Sequence, residues 1–260
     1  MATPTASFSK IALDFQPPVA RLTLASPPLN IIDMAMMNEL RAALELVETR
    51  DDVSILILAG SEKHFSAGVS VAEHTPDKVH SMLSEFHSVV RALLATKKVT
   101  VTAVRGSCLG GGAEVALVCD IAYTAATAKW GFPEITLACF PPVAVVALAA
   151  VVGQKRAAEL VLSGRIFSGD EAAAIGLANA AVPETELSAR VDEAVARLAK
   201  LSPAALRLTK KALYAWDAMH FDKGLARAEQ IYLEELMKTE DAPEGIRAFM
   251  EKRQPVWKGK

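Results

Sequence analysis

The sequence predicts an α/β fold in which parallel strands alternate with helices. Two observations carry this prediction: short β-branched and apolar runs recur through residues 1–200, and segments with helical periodicity separate them. Strands separated by helices pair in parallel through right-handed crossovers. Residues 201–260 show helical periodicity only. We therefore expect an α/β core over residues 1–200 and a C-terminal helical region over residues 201–260.

The composition is typical of a compact soluble protein, with 52% hydrophobic and 22% charged residues. With a net charge of −2, the sequence has no excess of positive charge that would attract nucleic acid or an anionic membrane surface. Neither is an expected partner. The three cysteines lack metal-type spacing, and their odd number favours free thiols in a reducing compartment, for which we expect the cytoplasm.

The N-terminal elements are predicted to be a hairpin, a helix and a buried strand. The hairpin pairs Ile11–Phe15 with Val19–Leu24. Asp33 is the predicted N-cap of a helix that ends near Thr49. The apolar run Val53–Ala59 indicates a strand that is buried on both faces.

The next helix is predicted to begin with Thr75 as its N-cap and Pro76 at its first position. It carries His80 and His87, seven residues apart. A metal-binding pair needs a spacing of three or four and further ligands, so we expect no metal site here.

The remaining elements alternate in the same way. Residues 135–154 contain no charge, and prolines at 141 and 142 leave an apolar run too short to cross a bilayer, which favours a buried core helix over Ala144–Val152. Strands are predicted at Val99–Val104, Ile121–Ala125, Lys129–Phe132 and Asn179–Val182, and further helices at 154–162, 170–175, 184–199, 204–217, 222–238 and 241–252.

Three consecutive glycines begin a predicted helix in the segment Cys108–Asp120. Chain without Cβ atoms lets another group approach the backbone closely, and the first-turn N–H groups of a helix are free to bind an anion or a developing oxyanion. Glu114 follows Gly111 by three residues and therefore lies on the same helical face. An acid beside oxyanion donors is a catalytic arrangement.

Other functions of the glycines can be compared directly with the sequence. A phosphate-binding loop needs Gly-Lys-Ser/Thr after the last glycine, and a dinucleotide-binding loop needs glycine where Val115 stands. Neither is present. The alternative that remains is structural: the glycines allow tight helix packing, and Glu114 only complements the helix dipole.

Glu134 is the second candidate acid. It precedes the charge-free stretch, and partial desolvation there would raise its pKa and suit it to proton transfer. The alternative is a capping or ion-paired glutamate at the end of a strand.

Three segments, at residues 65–69, 108–114 and 130–134, together resemble the enoyl-CoA hydratase/isomerase (crotonase) family, and the resemblance extends from Phe8 to Trp257. It implies a crotonase-like spiral of ββα units. It also implies C-terminal helices that cover the site and support a homotrimer or a dimer of trimers. The implied substrate is an acyl-CoA thioester, with coenzyme A as part of the substrate and no separate cofactor.

The resemblance also implies roles for individual residues. The backbone N–H groups of Val69 and Gly111 would form the oxyanion hole. Glu114 and Glu134 would be the catalytic pair, one acting as the acid and the other as the base. Because both glutamates are present, the resemblance favours a hydro-lyase over an isomerase. The implied substrate contacts are Ser66, Ala67, Gly68, Val71, Gly110, Phe140 and Pro141.

The sequence departs from the usual hydratase pattern at three places. Ser70 replaces an aspartate, Ala72 replaces a lysine, and a loop containing Pro142 replaces a glycine-rich one. The first two changes affect expected coenzyme A contacts, and the prolines would stiffen and reshape the acyl pocket.

Within the family, segments 30–33, 69–77 and 231–237 resemble the branch that hydrates cyclohexa-1,5-diene-1-carbonyl-CoA to 6-hydroxycyclohex-1-ene-1-carbonyl-CoA. A straight-chain enoyl-CoA hydratase is the alternative within the same chemistry. An RNA-binding function, known for another branch, needs a basic stripe that the sequence lacks.

Overall fold

The computed structural model describes residues 8–61, 63–214 and 217–259. The strands in chain order are β1 (Ile11–Gln16), β2 (Val19–Leu24), β3 (Ile55–Gly60), β4 (Val99–Val104), β5 (Ser107–Leu109), β6 (Ile121–Ala125), β7 (Lys129–Gly131), β8 (Ile166–Ser168) and β9 (Ala180–Val182). The helices are α1 (Met34–Glu48), α2 (Val79–Ala95), α3 (Gly111–Leu117), α4 (Pro142–Val152), α5 (Gln154–Ser163), α6 (Gly169–Ala174), α7 (Leu187–Leu198), α8 (Pro203–Leu213), α9 (Asp217–Glu234) and α10 (Asp241–Met250). Short 3-10 helices lie at Val71–Glu73, Pro133–Leu137, Glu184–Glu186 and Leu236–Lys238.

The main sheet has the strand order β1-β2-β3-β4-β6-β9. The β1–β2 hairpin is antiparallel, and every later pair in this sheet is parallel. Every residue of β4 is buried, as befits a central strand covered on both faces. The predicted α/β class and the predicted hairpin are confirmed.

A second sheet, with the order β5-β7-β8, brings together the glycine-rich segment and the segment before Glu134. Cys108 pairs with Trp130, and the N–H of Gly110 donates to the carbonyl of Gly131 at 2.9 Å. Strands β5 and β8 are absent from the sequence prediction, whereas β7 and β9, which also have three residues each, were predicted.

The third segment joins the same sheet through Ser66. Its N–H donates to the carbonyl of Ser107 at 2.9 Å, and its own carbonyl accepts from Leu109 N–H at 3.0 Å. The three segments that are far apart in sequence therefore become neighbours through main-chain hydrogen bonds.

One predicted helix cap is confirmed and another is wrong. The Asp33 side chain accepts a hydrogen bond from Met36 N–H at 2.9 Å and begins α1. The second predicted cap, Thr75, instead uses its carbonyl, which accepts from the N–H groups of Lys78 and Val79 at 2.9 Å each. This closes a turn, so α2 begins at Val79 rather than directly after Thr75.

The charge-free helix α4 is buried on one face only, which corrects the prediction of a fully buried helix. Val143, Leu148 and Val152 are buried, whereas Val145 and Val151 are 43% and 44% exposed. Helix α4 packs on α3, α5 and α9, and these contacts leave part of its circumference uncovered. Among the described residues, no helix has the length and hydropathy needed to span a membrane.

The C-terminal helices pack over the part of the core that carries Glu114 and Glu134. Helix α9 contacts α2 and α4, and α10 contacts the 3-10 helix Pro133–Leu137. The predicted helix over 204–217 ends at Leu213, and residues 215 and 216 lie outside the described part of the chain. The predicted division at residue 201 stays a prediction.

Candidate active site

The segments at residues 65–69, 108–114 and 130–134 meet at one cavity of about 270 Å³. It lies between α2, α3, the 3-10 helix Pro133–Leu137 and the C-terminal helices. Its walls are formed by Ala67, Gly68, Val69, Val71, His74, Met82, Leu83, Phe86, Leu109, Gly110, Gly111, Glu114, Pro133, Glu134, Thr136, Leu137, Phe140, Pro141, Pro142, Tyr232 and Phe249.

Glu114 is held by the beginning of another helix. Its Oε1 accepts hydrogen bonds from the N–H groups of Val143 at 2.8 Å and Ala144 at 2.9 Å, in the first turn of α4. The side chain is therefore a cap for a helix that the sequence places about thirty residues further on. Burial raises the pKa of Glu114 to about 7, while the two N–H hydrogen bonds oppose that rise.

Glu134 lies in the 3-10 helix Pro133–Leu137, where its own backbone N–H is the group that lowers its pKa. Its Oε2 is buried, and no hydrogen-bond partner for this oxygen occurs among the described residues. Burial raises the pKa of Glu134 well above its usual range, and the nearby carboxylate of Glu114 adds to the rise. Two N–H donors therefore favour the ionised form of Glu114, whereas among the described residues no donor to Oε2 of Glu134 opposes the effect of burial.

The glycine run allows the three segments to approach one another. A methyl carbon placed on Gly110 would lie 2.6 Å from Oε1 of Glu134, and one on Gly111 would lie 2.5 Å from Cγ2 of Val69. Gly110 also has a φ of 50°, which favours glycine. The structure therefore shows close packing at Gly110 and Gly111, and the function of the glycines in an oxyanion hole stays a prediction.

Two backbone N–H groups remain available at the cavity. Gly68 carbonyl and Ser70 N–H both bond to Ile32, at 2.9 and 3.0 Å, so the intervening N–H of Val69 faces the other way. The N–H of Gly111 lies in the first turn of α3, where no intrahelical acceptor exists. Within the described ranges, neither N–H donates to a protein acceptor.

Most of the predicted substrate contacts line the cavity. These are Ala67, Gly68, Val71, Gly110, Phe140 and Pro141. Ser66 lies behind the wall and is fully buried: its hydroxyl donates to the carbonyl of Asn30 at 2.8 Å and accepts from Gly68 N–H at 3.1 Å. Its place in the structure is thus to hold the turn before Val69.

The three departures from the hydratase pattern occupy different positions. Pro142 lines the cavity and is also the first residue of α4. Ser70 and Ala72 are not among the lining residues; the carbonyl of Ser70 accepts from Nδ1 of His74 at 2.9 Å, and Ala72 is exposed. The proline loop is therefore the departure that bears directly on the shape of the acyl pocket.

Several wall residues were not singled out from the sequence. Phe86 comes from α2, Phe249 from α10, and Tyr232 from α9, where its ring meets Phe140 edge to face with centroids 5.1 Å apart. Segment 231–237 was noted only for its resemblance, and no local pattern distinguishes Tyr232 from a core tyrosine.

The described residues contain no group of three His, Cys, Asp or Glu side chains arranged to hold a metal ion. His87 instead faces Glu229 of α9 through its Nδ1. Cys108, Cys119 and Cys139 are free thiols.

Comparison with known proteins gives a consistent result. The family model described as enoyl-CoA hydratase/isomerase matches residues 14–260. The chain is 38% identical to cyclohexa-1,5-dienecarbonyl-CoA hydratase of Thauera aromatica, over 96% of this chain and 97% of that protein. It is 35% identical to a probable enoyl-CoA hydratase of Bacillus subtilis, over 93% and 95% of the two chains.

A solved structure agrees with these relatives. The enoyl-CoA hydratase of Mycobacterium avium subsp. paratuberculosis superposes with a TM-score of 0.88 at 27% identity, covering 96% of this chain and 99% of that one. The chain therefore belongs to the enoyl-CoA hydratase/isomerase family. Within that family it is an enoyl-CoA hydratase, and hence a lyase.

Proposed function

We propose that the protein adds water to cyclohexa-1,5-diene-1-carbonyl-CoA and forms 6-hydroxycyclohex-1-ene-1-carbonyl-CoA. The observation that carries the hydration chemistry is the pair of buried carboxylates, Glu114 and Glu134, in the wall of one cavity. The cyclic acyl group is supported by the likeness to the Thauera aromatica enzyme and by the Phe140–Pro142 loop in the cavity wall.

In the proposed mechanism the thioester oxygen accepts hydrogen bonds from Val69 and Gly111 N–H. Both residues line the cavity, and neither N–H group donates to an acceptor in the described part of the chain. As water attacks the conjugated carbon chain, electrons move toward the thioester oxygen, and an enolate forms there. Fixed N–H donors stabilise this charge more than they stabilise the neutral carbonyl, which lowers the barrier.

We infer the roles of the two glutamates from their environments. Glu114 is kept ionised by Val143 and Ala144 N–H, so it accepts a proton from the attacking water. Glu134 holds a proton and delivers it to a carbon of the enolate as the new C–H bond forms. One water is added overall, because the proton gained by Glu114 balances the proton lost by Glu134.

The acyl pocket is bounded by aromatic and proline side chains. Phe140, Tyr232 and Phe249 are among its lining residues, together with Pro141 and Pro142. Flat, stiff walls of this kind suit a planar ring better than a flexible alkyl chain, because proline and aromatic rings have few conformations to adjust.

The reaction uses no redox or metal chemistry, so we propose that the enzyme needs no cofactor beyond the coenzyme A of its substrate.

A homotrimer or a dimer of trimers is the proposed assembly. Helix α8 has no buried residue, and Leu208 and Leu213 on it are exposed, which leaves an apolar surface for a second copy. Light scattering coupled to size exclusion tests this, since a monomer would contradict it.

The free thiols fit a reducing compartment, and the cytoplasm is the proposed location.

The deciding experiment is a side-by-side assay of cyclohexa-1,5-diene-1-carbonyl-CoA and crotonyl-CoA, with the hydrated product followed by mass. We expect a higher kcat/KM for the cyclic diene. A higher value for crotonyl-CoA would favour a straight-chain hydratase, the alternative supported by the likeness to the Bacillus subtilis protein. Hydration of neither thioester would contradict the proposed function.

A further inference from the structure

Tyr232 brings a second unpartnered oxygen to the cavity wall that holds Glu134. Its side chain is 1% exposed, and its hydroxyl oxygen has no hydrogen-bond partner among the described residues. Oε2 of Glu134 is buried and unpartnered in the same way. Both residues line the same cavity of about 270 Å³.

A buried hydroxyl without a partner is costly, because it loses its hydrogen bonds to water and gains none in return. A purely structural aromatic at this position would be phenylalanine, which packs equally well and has no hydroxyl to desolvate. Two such oxygens in one wall indicate that a polar atom of a bound ligand is their partner.

Tyr232 is positioned by a contact of its helix with α2 and by a contact of its ring with Phe140. Glu229, one turn earlier on α9, contacts the fully buried ring of His87 on α2. On the other side, Phe140 meets the tyrosine ring edge to face at 5.1 Å between centroids. Burial raises the pKa of Tyr232 well above its usual range, the neighbouring thiol of Cys139 adds to the rise, and Glu134 and Glu114 contribute after it.

We propose that Tyr232 is a specificity-determining residue that donates a hydrogen bond to the oxygen that hydration adds to the acyl group. In this arrangement the added oxygen, whose proton goes to Glu114, accepts its hydrogen bond from the phenol of Tyr232 within the same cavity. The inference rests on the proposed hydration.

The test compares two thioesters that differ by that oxygen. The first is the hydroxylated product, 6-hydroxycyclohex-1-ene-1-carbonyl-CoA, whose KM is measured in the dehydration direction. The second is cyclohexanecarbonyl-CoA, which lacks the hydroxyl and does not react, and whose inhibition constant is measured. The variant is Tyr232→Phe, which keeps the ring and its contact with Phe140.

The matched control is Tyr123→Phe. Tyr123 is a buried tyrosine of β6 that packs under Arg190 at 4.6 Å and is not part of the cavity wall. It loses the same hydroxyl group at a distance from the site, so it accounts for any general effect of the substitution.

In Tyr232→Phe we expect the KM of the hydroxylated thioester to rise roughly ten- to one-hundredfold, the range of one lost buried hydrogen bond. The inhibition constant of cyclohexanecarbonyl-CoA should stay within about twofold of the wild-type value, since it has no oxygen to hold. Equal changes for both thioesters, or no change, would overturn the role of Tyr232.

Failure of the proposed function is seen separately, in the wild type. If the wild type processes only straight-chain thioesters, the same comparison is made with 3-hydroxybutyryl-CoA and butyryl-CoA, and the same two outcomes decide the role of Tyr232. If the wild type processes no hydroxyacyl-CoA, both the proposed function and this inference are overturned.

Discussion

The carboxylate of Glu114 accepts a 2.8 Å hydrogen bond from the backbone N–H of Val143, in the first turn of α4. One side chain therefore caps a helix and also lines the cavity in which we propose that hydration occurs. The N–H of Ala144 donates to the same oxygen at 2.9 Å, so a single acceptor atom is shared. This sharing allows the two roles to be separated by substitution.

Replacing Glu114 by glutamine should abolish most activity and leave the fold intact. The amide oxygen still accepts from the two N–H groups, but the amide cannot take a proton from water. We expect kcat to fall about 10²- to 10⁴-fold with a small change in thermal stability. Replacing Glu114 by alanine should in addition lower the free energy of unfolding by about 2–4 kcal/mol, because two buried N–H groups lose their acceptor.

Kinetics and thermal denaturation of both variants measure these effects. Glu45→Gln, a change at an exposed glutamate of α1, is the control for loss of a carboxylate. Near wild-type turnover in Glu114→Gln would remove this residue from the mechanism.

The pH dependence of kcat/KM should be bell-shaped. Glu114 acts as its carboxylate and its pKa is raised by burial to about 7, so activity should be lost as the pH falls below that value. Glu134 acts in its protonated form and burial holds its pKa well above the usual range, so activity should also be lost at higher pH. A profile that stays flat down to pH 5 would contradict the base role of Glu114.

The packing of Gly111 against Val69 should control the oxyanion hole. In Gly111→Ala the new methyl would lie 2.5 Å from Cγ2 of Val69, so the segment that carries the Val69 N–H must move. We expect kcat to fall about 10²-fold or more, the effect of removing one donor from such a site. The KM should change less, since the N–H groups act mainly on the enolate.

A second substitution provides the control for this prediction. Val69→Ala removes the Cγ2 atom, while its backbone N–H remains, so Val69→Ala/Gly111→Ala should regain part of the lost kcat. If the double variant is no more active than Gly111→Ala, the clash with Val69 is not the cause of the loss.

His87 should make folding stability sensitive to mild acid. Burial lowers the pKa of His87 below 6.5 despite the opposing effect of Glu229, so the folded state binds its proton less readily than the unfolded state does. The corresponding contribution to stability is present above about pH 6.5 and is lost as the pH falls through the folded pKa. His74, whose pKa burial also lowers, contributes in the same direction.

Urea unfolding at pH 7 and pH 5 measures this dependence. In His87→Gln the difference in unfolding free energy between the two pH values should be smaller than in the wild type. His80→Gln, at an exposed position on the same helix, should leave that difference unchanged. An unchanged difference in His87→Gln would exclude His87 as a source of the acid sensitivity.

Local patterns predicted the strands and helices with strong periodicity. The hairpin from Ile11, the cap at Asp33 and the buried strand before Gly60 all lie where alternation, capping chemistry and apolar runs place them. The three-residue strands β5 and β8 were missed while β7 and β9 of the same length were predicted, because alternation over three residues is too short to be a dependable signal. The cap at Thr75 was wrong because its carbonyl, rather than its side chain, bonds to the following N–H groups.

The sequence by itself determined which chemical groups are available: a glycine run that begins a helix, and the carboxyl groups of Glu114 and Glu134. Only the tertiary structure decided that Glu114 has two N–H donors, that Oε2 of Glu134 has none within the described residues, and that Tyr232 lines the same cavity. Backbone conformation depends on near neighbours in the chain and leaves a local pattern. The proton affinity of a carboxyl group depends on desolvation and on hydrogen-bond donors from distant segments, which exist only after the chain has packed.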